Sequence, residues 1–181
     1  MVALFDRIVS DRDGARLAAR FGEPHVLDGN EDGIADRLLA EIERSDATLA
    51  VVGCRGLSRT QGIATGAPTT TVVHEAPCSV LVARETDASD GWPRTIVAGL
   101  DETPESERAV AVARLLAARL GSRLYVVTAT RADPVSVLAD ESETADLLVV
   151  GSRGLRGVRA LASVSERVAH EARCAVLVVR E

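Results

Sequence analysis

Short apolar runs bounded by polar turns recur along the chain. They alternate with segments in which apolar residues return every three or four positions. In the second half, residues 95–100 (TIVAGL), 124–127 (LYVV), 147–150 (LLVV) and 175–179 (AVLVV) read as buried strands. Ala109, Val112, Ala113, Leu116 and Leu120 form one helical stripe between the first two. Thr103 stands where an N-cap belongs, Pro104 at the first helical position, and Gly121 as the stop. Asp133 and Pro134 open a short helix through about residue 143, and a further helix covers about 161–171. The first half follows the same order. Residues 2–5 are a candidate strand, followed by a shortened helix ending at Gly22 and a weak strand over 25–27. Ile34, Leu38, Leu39 and Ile42 mark an amphipathic helix. A strand over 49–52, a Gly-rich loop, a helix and a strand over 79–83 complete it. Strands alternating with helices predict an α/β fold built on parallel sheet.

The two halves are near copies. VVHEAPCSVLVARE (72–85) matches VAHEARCAVLVVRE (168–181), LAVVGCRGL (49–57) matches LLVVGSRGL (147–155), and LAARFG (17–22) matches LAARLG (116–121). Such self-similarity fixes the organisation before any motif is read. It predicts a repeat over 1–85, a polar linker over 86–93 and a second repeat over 94–181. The two last strands, 79–83 and 175–179, are expected to pair about a pseudo-two-fold axis, so that one chain forms an intramolecular pseudo-dimer. Whether whole chains also dimerise is left open.

Composition narrows the chemistry. Hydrophobic residues make up 46% of the chain but aromatics only 2%. The core must therefore be Val, Leu, Ile and Ala, which suits strands covered on both faces. A net charge of −6 excludes a broad basic surface for nucleic acid. All 21 basic residues are Arg. A phosphate-loop lysine, a Schiff-base lysine and a Ser–Lys dyad are thus absent. Cys78 and Cys174 hold matching positions before an apolar strand and read as small buried hydrophobes. With Cys54 they suggest no disulfide framework. The N-terminal segment does not read as a signal peptide, and no run approaches membrane-spanning length. A cytoplasmic protein without membrane partners is the expectation.

Each third strand ends in Gly-x-x-Gly, as Gly53-Cys-Arg-Gly56 and Gly151-Ser-Arg-Gly154. Ligands of open parallel sheets bind beyond the carboxyl ends of the strands, where a following helix points its positive end. Arg55 and Arg153 inside these loops are placed either to neutralise a phosphate or to remain solvated surface charges. HEAPC and HEARC superficially resemble a zinc-protease helix. Pro77, however, ends the first before a second ligand, and Cys stands for the second His, so no metal site is expected. Ser163 and Ser165 lie at a helix start, as caps rather than nucleophiles, and no catalytic residues are assigned.

A strand, Gly-x-x-Gly, nine residues, a further Gly, and then His74-Glu-Ala-Pro-Cys78 before an apolar last strand resemble the universal stress protein family. So do SVSERVAHEARC (163–174) and VAGLDETPES (97–106). The resemblance covers nearly the whole chain as two tandem copies. It implies doubly wound parallel sheets of the adenine-nucleotide α-hydrolase-like type, and ATP, with or without Mg²⁺, as ligand. It further implies that Asp101 contacts ribose or base and that Val127 lies by the adenine. The phosphates would be held by Gly53, Gly56, Gly66 and Ala67, or by Gly151, Gly154, Ser163 and Ser165. Both copies are shorter than the family's, which predicts loss of a helix and a strand from each. In the second copy only seven residues separate Gly154 from Ala162, which replaces the last Gly. The first keeps the spacing but carries Ala67-Pro68 and a barely recognisable acidic turn, Phe5-Asp6-Arg7. Loop spacing favours the first copy slightly and the ribose side favours the second. A stress-response regulator that binds an adenine nucleotide is the leading reading. A nucleotide-free interaction module is the alternative, with at most a slow ATPase activity.

Overall fold

The computed structural model describes residues 5, 7–28, 33–53, 68–84, 91–128, 133–152 and 163–180. The first half contributes β1 (Ile8–Asp11), α1 (Ala15–Ala18), β2 (Pro24–Leu27), α2 (Ile34–Ser45), β3 (Leu49–Gly53), α3 (Pro68–Glu75) and β4 (Ser79–Ala83). The second contributes β5 (Thr95–Gly99), α4 (Pro104–Leu120), β6 (Arg123–Val127), α5 (Pro134–Glu141), β7 (Leu147–Gly151), α6 (Val164–Glu171) and β8 (Ala175–Val179). All eight strands form one sheet in the order β2-β1-β3-β4-β8-β7-β5-β6. Pairing within each half is parallel. The fold is the doubly wound α/β type that the sequence predicts, with four strands in each half among the described residues.

Strand alternation sorts the core into two layers. Val80, Val82, Val176 and Val178 face one side with residues of α2, α3, α5 and α6. Leu81 and Leu177 face the other with α1 and α4. Helix boundaries follow local chemistry. The Thr103 side chain accepts from Ser106 N at the start of α4, and Gly121 (φ 71°) closes it in the left-handed conformation. α5 stops at Glu141. There the Ser142 hydroxyl donates to Ala139 O and accepts from Arg173 N.

The first strand differs from the sequence expectation. Among the described residues it is Ile8–Asp11, residues 2–4 of the expected strand lying outside them, and the helix after it is a single turn ending at Ala18 rather than at Gly22. The pairing register explains the shift. Ile8 pairs with Leu49 as Ile96 pairs with Leu147. IVSDRD (8–13) is therefore the counterpart of IVAGLD (96–101). Asp13, not Asp6, holds the place of Asp101, and Asp6 lies outside the described residues. Phe5 instead packs edge-on against Phe21, which packs edge-on against Trp92.

The halves meet where β4 runs antiparallel to β8, with Val80 opposite Val178, Leu81 opposite Leu177 and Val82 opposite Val176. All six side chains are fully buried, each contributing about 1.5–3 kcal/mol. Two arginines cross this joint reciprocally. Arg84, just after β4, donates from Nη2 to Ala169 O (2.6 Å) and from Nε to Cys174 O (3.3 Å). Arg180, just after β8, donates to the carbonyls of Val73, His74 and Ala76. Each guanidinium thus serves carbonyls at the C-terminal end of the other half's last helix, where orphan acceptors and the negative dipole end favour a cation. Arg84→Ala and Arg180→Ala are each expected to cost about 1.5–3 kcal/mol in denaturant unfolding. A lysine in either place should not restore the loss, since it lacks the planar fork. A loss below about 0.5 kcal/mol would mean these contacts do not hold the joint.

Candidate functional site

In the second half the ends of β5, β6 and β7 and the first turns of α4 and α6 surround a cleft of about 310 Å³. It lies beyond the carboxyl ends of parallel strands, the position such sheets use for ligands. Five residues singled out by the sequence line it together: Asp101, Val127, Gly151, Ser163 and Ser165. Asp101 follows β5, and its Oδ1 accepts from Thr103 N (3.2 Å) and Thr103 Oγ1 (2.5 Å). Those bonds fix its carboxylate at the rim. The Val127 carbonyl accepts from Leu100 N (2.9 Å), which ties the ends of β5 and β6 together. Ser163 is the N-cap of α6, accepting from Glu166 N (3.3 Å), and its Oγ lies 3.3 Å from that of Ser165.

Gly151 has a packing reason of its own. A Cβ there would meet the carbonyl oxygen of Glu105 at 2.4 Å. The first turn of α4 lies directly on the end of β7, and backbone cannot yield as a flexible side chain would. That close approach shapes one wall of the cleft.

The first half is built differently at the matching place. Its register sets Asp11 where the second half has Gly99. The Asp11 carboxylate accepts from Gly53 N (3.1 and 3.0 Å) and Gly14 N (2.6 Å). Burial raises its pKa, with those backbone bonds opposing the shift. Asp13 lies over Gly53, where a Cβ would come within 2.4 Å of the Asp13 Cβ. The amide that the sequence offers to a phosphate is therefore already bonded. Arg55, Gly56, Gly66, Ala67, Arg153 and Gly154 lie outside the described residues. Loop spacing tilts towards the first repeat, whereas the cleft that gathers candidate residues lies in the second.

Sequence reasoning passed over the groups at the inner wall. His74 and Val73 reach the cleft from the first half, beside Glu166 of α6 and Arg180. Glu166 is only 1% exposed. Its Oε1 lies 2.7 Å from His74 Nε2 and 3.9 Å from His170 Nε2. His170 Nε2 lies 3.4 Å from Thr70 Oγ1. Thr70 and Glu166 hold matching positions of the two repeats, four residues before His74 and His170. The pairs are thus crossed copies of one contact, with a carboxylate in place of a hydroxyl. The signal was present: Ser163-x-x-Glu166 is a capping-box spacing, and an arginine follows the last strand in both copies. Among the described residues no cluster of three metal-ligating side chains occurs. No helix there is long and apolar enough to cross a membrane. Cys78 is buried with its thiol pKa raised to about 11, chiefly by desolvation, and Cys174 is buried as well.

The sequence profile described as "Universal stress protein family" matches residues 9–84 and 129–180. A universal stress protein of Mycobacterium tuberculosis is 30% identical over 215 residues, which cover 92% of this chain and 72% of that protein. The fold is similar to a universal stress protein of Archaeoglobus fulgidus (TM-score 0.70, 19% identity), covering 92% of this chain and 73% of the other. It is also similar to a putative universal stress protein of Pseudomonas aeruginosa (TM-score 0.56, 13% identity), covering 95% and 81%.

Burial lowers the His170 pKa, helped by the neighbouring Arg84 and His74 and opposed by Glu171. A folded-state pKa below the unfolded value means the native state resists protonation. Stability is then full above about pH 6.5 and falls as pH drops through the folded pKa. Thermal unfolding between pH 8 and 5 should show this loss, and His170→Gln should reduce it by at least about 2 °C. An unchanged pH slope would remove His170 from the account.

Proposed function

Because this chain belongs to the universal stress protein family, we propose that it binds an adenine nucleotide in the cleft of its second half. It would then act as a nucleotide-responsive regulator in stress adaptation. One observation carries the reading. The fold brings Asp101, Val127, Gly151, Ser163 and Ser165, chosen from two distant stretches of sequence and a strand between them, around a single cleft. In this reading Asp101 would meet ribose or base, Val127 the adenine, and the start of α6 the ligand's polar end. The proposed role is binding rather than turnover.

A second reading, a nucleotide-free interaction module, is favoured by the first half, where Asp11 already satisfies Gly53 N. Calorimetry of the whole chain with adenosine, AMP and ATP, each with and without Mg²⁺, separates the two. Nucleotide binding predicts heat and a thermal upshift that saturate, and about a tenfold loss of affinity for Asp101→Ala, near 1.4 kcal/mol. Neither heat nor thermal shift at millimolar ligand would favour the interaction module.

A further inference from the structure

The inner wall of the cleft holds a buried acid–base pair contributed by both halves. Glu166, at the third position of α6, would close the usual capping box by turning its carboxylate back to the N-cap amide. It turns instead toward His74 of α3. Although His74 Nε2 and Glu166 Oε1 are 2.7 Å apart, the contact is not aligned as a hydrogen bond. Neither His74 Nε2 nor either Glu166 oxygen has an aligned partner among the described residues. A buried carboxylate left so is costly, and a partner supplied from the cleft would relieve it.

The partner's chemistry follows from the two groups. Glu166 needs a donor, and His74, with its proton on Nε2, needs an acceptor. A single hydroxyl provides both at one oxygen. A phosphate oxyanion would satisfy His74 but bring a like charge against Glu166. We propose that Glu166 and His74 form a hydroxyl-recognition pair that reads a sugar hydroxyl of the bound nucleoside, with the first half completing the second half's site. This rests on the reading that the cleft takes an adenine nucleoside or nucleotide. It assigns to two unclaimed residues the discrimination between a hydroxylated ligand and its deoxy analogue. It also gives the first half a direct part in binding, through a residue that lies across the joint from β5, β6 and β7.

The test uses the whole chain and five probes: adenosine, its 2′-, 3′- and 5′-deoxy analogues, and ATP. On the unsubstituted protein one deoxy analogue should bind at least about tenfold more weakly than adenosine. Glu166→Leu should shrink that gap below about threefold, and His74→Phe should narrow it. Glu166→Gln, which keeps an uncharged acceptor and conserves volume, should leave an intermediate gap and serves if the leucine variant does not fold. A merely structural role for the pair would lower all affinities together and leave the ratio unchanged. Three deoxy analogues within about threefold of adenosine would overturn the proposal, as would a gap that persists in every variant. Tighter ATP binding by Glu166→Gln with no deoxy sensitivity would assign the pair to phosphate and also overturn it. Failure of every adenine compound to bind would instead remove the nucleotide reading itself.

Discussion

The antiparallel pairing of β4 with β8 is the constraint on which the rest of the molecule depends. Among the described residues each half has four strands, and its last strand is buried on both faces. Left alone, that strand would expose a row of unpaired backbone groups along a flat, apolar edge. Pairing the two edges removes both and makes one sheet of two. Arg84 and Arg180 then carry each half's chain end into the other half's helix terminus. The exchange is reciprocal because the sequence is repeated, as an isologous contact in a symmetric dimer would be. Here the two partners are covalently joined and free to diverge.

Divergence is what the site displays. The register places Asp11 where the second half has Gly99, so in one half a carboxylate binds the Gly53 amide, while the other half lines a cleft at its strand ends. The same joint that allowed this division also contributes to the cleft. Because α3 packs by α6 at the axis, His74 of the first half becomes part of the second half's wall. Thr70 and Glu166, matching positions in the two repeats, show how one replacement turns a neutral contact into a buried acid–base pair.

Most of the architecture was legible in the sequence because it rests on local chemistry. Thr103-Pro104 and Gly121 set the ends of α4, Asp133-Pro134 opened α5, and the apolar runs at 147–150 and 175–179 became β7 and β8. Residues 2–5 drew the strand expectation because they are wholly apolar, whereas 8–11 carry Ser10 and Asp11, and only the register with β3 picks out 8–11. The contacts of Glu166, Arg84 and Arg180 were hidden for a related reason. Each matters through a contact some eighty to a hundred residues away in sequence, which no local pattern encodes. The glycines at 53 and 151 were recognised, but as groups that admit a ligand. Their packing against Asp13 and the first turn of α4 needed three dimensions.

Native-state hydrogen exchange tests the central claim most directly, because it reports the opening free energy of individual amides. If the joint makes the two halves one cooperative unit, the amides of β4 and β8 exchange only on global unfolding. They then share one free energy with each other and with the inner strands β3 and β7. Two distinct free energies for β3 and β7, or amides of β4 and β8 exchanging ahead of their neighbours, would contradict it.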